Sequence, residues 1–73
     1  MIKIRQIQFF LSVLQYNSFV KAAESLNVSQ PGVSKAIREL EEILQVKLIK
    51  RHTNGIEITD YGRIFRKLFT FNS

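Results

Sequence analysis

The 73-residue chain has no cysteine, one histidine, one proline and three glycines. Without cysteine there are neither disulfide staples nor thiolate metal sites. The lone histidine, His52, has no set of ligands around it in the sequence, so a metal site is not expected. There is no glycine-rich loop to cradle a phosphate, and the acids fall mainly as Glu39, Glu41 and Glu42 on one helical stretch, where solvation of a helix surface is the natural account. An enzyme is therefore a poor reading. Apolar runs fall far short of the roughly 20 residues of a membrane-spanning helix. The opening Met1-Ile2-Lys3-Ile4-Arg5-Gln6 lacks the continuous apolar region of a secretory leader. These absences leave a soluble cytosolic protein as the expectation, with no cofactor or metal of its own.

What the chain does have is positive charge. Eleven Lys and Arg against six acids give a net charge of +5, spread along the sequence rather than gathered in a tail, which favours a polyanionic partner. The length allows one domain with a small core, marginal unless its elements pack well or it associates.

Ile4, Ile7, Leu11 and Leu14, with Phe10 beside them, predict an amphipathic first helix over residues 4–15, stopped by Asn17-Ser18. Phe19, Ala22, Ala23 and Leu26 predict a second, shorter helix whose alanines permit close approach by another. After the turn Asn27-Val28-Ser29, the run Ser29-Gln30-Pro31-Gly32-Val33-Ser34-Lys35 reads as a helix start: Ser29 is a good N-cap, and Pro31 stands where a missing N–H costs nothing. Val33, Ile37, Leu40 and Leu44 form its buried stripe. The opposite face carries Pro31, Ser34, Lys35 and Arg38 in its first two turns and Glu39 and Glu42 beyond. A helix whose N-terminal half enters a DNA groove needs that order, and a merely solvated helix gains nothing from it. The spacing of Ala23, Val28, Val33 and Ile37 is that of a helix-turn-helix, about residues 19–38, with Val28 as the buried residue of the turn. Purely structural helical hairpins share this geometry.

After Leu44 the period changes. Val46, Leu48, Ile56 and Ile58 alternate with Lys47, Lys50, Glu57 and Thr59, the two-residue rhythm of strands, around the hairpin signal Asn54-Gly55, where both positions accept positive φ. A hairpin over about 46–59 following such a helix is a wing. Its stem and tip carry Lys50, Arg51, His52 and Asn54, able to meet phosphate or a minor groove. Thr59-Asp60 then caps a last helix bearing Tyr61, Ile64, Phe65, Leu68, Phe69 and Phe71, more apolar surface than a small core needs. Ile64, Phe65, Leu68, Phe69 and Phe71 are therefore the expected contact between two chains. The expected fold is mainly α: a winged helix-turn-helix over residues 1–59, with a three-helix core and a two-stranded wing, followed over residues 60–73 by the start of a linker helix. The apolar pattern still running at Asn72-Ser73 favours a truncated chain.

The run from Ser18-Phe19-Val20-Lys21-Ala22-Ala23-Glu24 through Ser29-Gln30-Pro31 to Glu39-Leu40-Glu41, together with Leu48-Ile49-Lys50-Arg51 and Thr59-Asp60-Tyr61-Gly62, closely resembles the N-terminal domain of LysR-type transcriptional regulators. The resemblance implies a bacterial regulator that binds double-stranded DNA at an interrupted inverted repeat as a homodimer or tetramer, with the recognition helix in the major groove. It also implies a small-molecule inducer, bound by a C-terminal domain absent from these 73 residues. The positions matching the family's base readers are Gln30, Pro31, Ser34 and Lys35. Gln30 suits adenine, Pro31 a thymine methyl, and Ser34 and Lys35 acceptors such as guanine O6 or N7. Arg38 would meet phosphate, and Ser29, Lys21, Lys50, Arg51 and Asn54 complete the candidate DNA-binding set.

Four positions depart from the family pattern. Val20 replaces a frequent Thr or Ser, Gly32 a usual Ala, Asn54 a frequent Arg or Lys, and Lys50 a frequent Glu, which moves basic charge from the wing's tip to its stem and leaves minor-groove reading mainly to Arg51. The same scaffold could instead dock an acidic protein partner.

Overall fold

A computed structural model describes residues 1–70. Four helices and one antiparallel hairpin follow in the order α1 (Ile4–Tyr16), α2 (Phe19–Leu26), α3 (Gln30–Leu44), β1 (Ile49–His52), β2 (Gly55–Ile58) and α4 (Asp60–Lys67). The helix ends are set by local chemistry. Ser18 Oγ accepts from the Lys21 N–H, Ser29 Oγ from Gly32 and Thr59 Oγ1 from Gly62, so each of these hydroxyls satisfies a free donor of a first turn. Asn17, Asn27 and Gln45 close α1, α2 and α3 in the left-handed conformation, with φ of 53°, 60° and 60°.

The core lies where α1, α2 and α3 cross. It joins Phe9, Phe10 and Val13 to Phe19, Ala22 and Ala23 and to Val33, Ala36, Ile37 and Leu40, and is extended by Leu48, Ile49 and Phe65. Ala22 and Ala23 are buried, small enough to let α3 pack closely on α2. The first helix turns a different face inward from the one its Ile-Leu spacing suggests. Ile4 is 74% exposed, while Ile7, Leu11 and Leu14 only flank a buried set of Gln6, Phe9, Phe10, Ser12 and Val13. The larger phenylalanines take the deep positions. Val28 is 39% exposed rather than buried, because the α2–α3 turn places it at the surface.

The hairpin is present, but shifted from its expected frame. The strand begins at Ile49, not Val46, and pairs Ile49 with Ile58, Lys50 with Glu57, Arg51 with Ile56 and His52 with Gly55. Leu48 and Ile49 are both buried, so strict alternation fails where the extended lead-in becomes strand. The turn residues are Thr53 and Asn54. Of the expected Asn-Gly pair only Gly55 has positive φ, at 140°, a value that L side chains rarely adopt.

The last helix belongs to the protomer's own core more than its apolar content suggests. Phe65 is buried edge-on against Phe10, ring centroids 5.7 Å apart, and Phe69 covers it at 5.0 Å. Phe65 is thus withdrawn from the expected interchain contact, because the three-helix core leaves an opening beside Phe10 that an aromatic ring fills. Ile64 and Leu68 stay outside, 62% and 69% exposed, and Phe69 is 41% exposed. Helix α4 ends at Lys67, and the expected contact Phe71 lies outside the described residues. Close approach at Gly62 ties α4 to the hairpin: a Cβ there would collide with the Leu48 carbonyl oxygen and lie 2.7 Å from Ile58 Cγ1.

Candidate nucleic-acid interface

Because Ser29 caps α3 through the Gly32 N–H, the helix starts at Gln30, and one side of its first two turns faces outward. Pro31, Lys35 and Arg38 are exposed there, and Gln30 and Ser34 are half-buried between them and the wing. The acids of the same helix are directed elsewhere. Glu39 accepts from Gln6 Nε2 of α1 at 3.5 Å. Glu41 turns inward, where its Oε2 accepts from the backbone N–H groups of Leu48 and Ile49 at 2.8 and 3.2 Å, while Oε1 lies 3.8 Å from Lys47 Nζ. Glu41 is therefore not a solvated surface acid, as its place in an acidic run suggests, but the anchor of the wing. Among the described residues Lys21, Lys35, Arg38 and Lys50 enter no ion pair, which leaves their charge for an external anion.

Strand parity decides where the wing's cations go. Arg51 is two residues from the buried Ile49 and shares its face, so the side chain turns toward α2 and α3. Its guanidinium carbon lies 3.6 Å from the centroid of the Phe19 ring, and Nη2 donates to Ser34 Oγ at 2.6 Å. Such a cation–π contact contributes about 0.5–2 kcal/mol. The head group of Arg51, expected as the main minor-groove reader, lies over the helix-turn-helix in the DNA-free chain, beside Phe19 and Ser34. Lys50 and His52 take the outer face, and His52 Nε2 meets Glu57 Oε1 across the strands at 2.8 Å. Asn54 is exposed at the tip.

Ser34 is the centre of the surface. Gln30 Nε2 donates to its Oγ at 2.7 Å, so Gln30, Ser34, Arg51 and Phe19 form one connected group spanning α2, α3 and β1. Phe19 as a platform for Arg51 and Glu41 as the wing's anchor are the two residues the sequence reading missed. Neither pairing, across 32 and seven or eight positions, leaves a periodic signal.

Three comparisons bear on this arrangement. Residues 4–63 match the family described as "Bacterial regulatory helix-turn-helix protein, lysR family". The HTH-type transcriptional regulator PcaQ of Agrobacterium fabrum is 50% identical over 64 residues, which cover 88% of this chain and 21% of that protein. The chain thus spans about a fifth of that relative's length. A crystal structure of a LysR-family transcriptional regulator from Eggerthella lenta superposes with a TM-score of 0.88 at 30% identity, covering 94% of this chain and 99% of that one. A CbnR DBD–DNA complex superposes with a TM-score of 0.86 at 35% identity, covering 89% and 75% of the two chains. With a family match over most of its length and a winged helix-turn-helix fold, the chain belongs to the lysR family of bacterial regulatory helix-turn-helix proteins.

Proposed function

We propose that this chain is the DNA-reading part of a cytosolic transcriptional regulator and has no catalytic activity of its own. It binds duplex DNA sequence-specifically, with the first two turns of α3 in the major groove and the β1–β2 hairpin along the adjacent minor groove. The observation that carries the reading is the sorting of charge on α3. Lys35 and Arg38 are exposed and unpaired on its outer N-terminal half, while Glu39 and Glu41 are engaged with α1 and the wing. Gln30, Pro31, Ser34 and Lys35 face base edges, and Arg38, Lys21 and Lys50 face phosphates. Ser29, at the head of α3, faces the backbone where the helix dipole favours an anion. Asn54 and Gly55 bring the hairpin tip to the flanking groove. Ile64 on α4 and Leu68 and Phe69 just beyond it, all partly or largely exposed, pair two chains so that two α3 helices meet an interrupted inverted repeat. An inducer would act through a further domain.

Titration of labelled duplexes selected from a random pool, over a range of salt, tests this reading. Lys35→Ala is expected to lose about 1–3 kcal/mol on the selected site and to relax preference at one base pair. Arg38→Ala is expected to weaken selected and random DNA alike and to reduce the salt slope by about one. Equal loss on both DNAs for Lys35→Ala, or no binding by the unaltered chain at low salt, would overturn it.

A further inference from the structure

The hydroxyl of Ser34 has one proton to give and two lone pairs with which to accept. Both lone pairs are occupied, because Gln30 Nε2 at 2.7 Å and Arg51 Nη2 at 2.6 Å are nitrogens that can only donate. Among the described residues no acceptor takes the Ser34 proton. Ordinarily a serine hydroxyl on a recognition surface rotates to suit either a donor or an acceptor, and so discriminates weakly. Here the two donors disfavour that rotation. Arg51 is itself steadied by the Phe19 ring 3.6 Å beneath it and by its strand, whose first residue Ile49 is hydrogen-bonded to Glu41.

We infer that Arg51 and Gln30 are positioning residues that fix Ser34 as a donor-only reader, so that the domain selects an acceptor-rich base edge at the position Ser34 faces. This rests on the DNA-binding reading above and deepens it. In the major groove guanine offers two acceptors, O6 and N7, and thymine offers O4, whereas cytosine presents the N4 amino donor. A donor-only hydroxyl accommodates guanine and meets cytosine donor to donor. Arg51 acts here without touching a base: its guanidinium closes one lone pair of Ser34 and adds positive potential beside it. A wing residue thereby sets the specificity of the helix.

The test uses the unaltered chain and the variants Ser34→Ala, Arg51→Met, Arg51→Lys and Gln30→Met, each checked for folding by circular dichroism. Affinities are measured on duplexes that differ only at the base pair whose preference Ser34→Ala abolishes. The unaltered chain is expected to prefer guanine over cytosine there by about tenfold, the scale of one hydrogen-bond mismatch. Arg51→Met is expected to reduce that ratio to about threefold or less, leaving preferences at other positions in place. Arg51→Lys, which keeps a donor for Ser34, is expected to restore most of it, and Gln30→Met to lower it through the other lone pair. If Arg51→Met changed only the flanking A·T preference, or weakened all duplexes equally, the inference would fail while the DNA-binding reading stood. A cytosine preference at that base pair would likewise overturn it. Absence of duplex binding by the unaltered chain would defeat both.

Discussion

Replacing Glu41 by alanine removes the carboxylate that accepts from the backbone at the start of the wing. Its carboxylate receives the N–H groups of Leu48 and Ile49, residues only 0% and 7% exposed, at 2.8 and 3.2 Å. A hydrogen bond to a charged group contributes about 1.5–3 kcal/mol net, and a buried donor left without a partner costs about 1–3 kcal/mol. The shortened side chain admits some water to the two N–H groups, so the expected loss is about 2–4 kcal/mol rather than the full sum. A domain of this size has a total stability of about 4–11 kcal/mol at the usual 0.05–0.15 kcal/mol per residue. The variant would thus forfeit at least about a fifth of it. Glu41→Gln keeps a carbonyl oxygen at the same place and is expected to cost about 1 kcal/mol. Equilibrium urea denaturation followed by far-UV circular dichroism measures both. A Glu41→Ala value within about 0.5 kcal/mol of the parent, the range of an ordinary surface substitution, would refute the anchoring argument, as would equal values for the two variants.

Three further outcomes follow from packing and exposure. Gly62→Ala forces a Cβ into the Leu48 carbonyl oxygen and Ile58, and is expected to cost about 3 kcal/mol or more in the same denaturation assay; Gly32→Ala, whose Cβ meets only Ser29 Oγ at 3.2 Å, is expected to stay within about 1 kcal/mol of the parent. Leu68→Glu, at a position 69% exposed, is expected to leave stability unchanged while abolishing cooperative binding to an inverted repeat. Sedimentation with a palindromic duplex checks this, and a single chain per duplex in the parent would remove the proposed pairing.

The helix boundaries were legible because they are written in local chemistry. Ser29 and Thr59 are hydroxyl caps, and Asn17 and Asn27 mark the turns where α1 and α2 stop, so no distant contact was needed to place them. Lys35 and Arg38 were legible as an outward pair because helical periodicity fixes a residue's azimuth once the buried stripe is known. What escaped depended on geometry between elements. Leu48 and Ile49 are consecutive and both buried, so counting by twos from Val46 put the strand in the wrong frame and hid that Arg51 shares the inner face. Glu41 differs from Glu39 and Glu42 only in azimuth relative to a hairpin whose position was not yet known. Phe65 looked surplus because periodicity counts apolar residues without measuring the gap beside Phe10 that one of them fills.

The hairpin is fastened to α3 at two points, Ser34 by way of Arg51 and Glu41 by way of the strand's entry. Seven residues separate these fastenings, about 10 Å along the helix axis at 1.5 Å per residue. One pin would leave a pivot, whereas two, as in a bracket, resist rotation of the hairpin about either one. On the proposed reading, in which α3 enters the major groove and the hairpin the minor groove, the spacing between the two is set largely at folding, before any duplex arrives. A duplex whose grooves do not match that gauge must bend or narrow itself to fit, and the energy of doing so varies with base sequence. The stiffness of the bracket would in this way convert the deformability of DNA into a preference at base pairs that no side chain reaches.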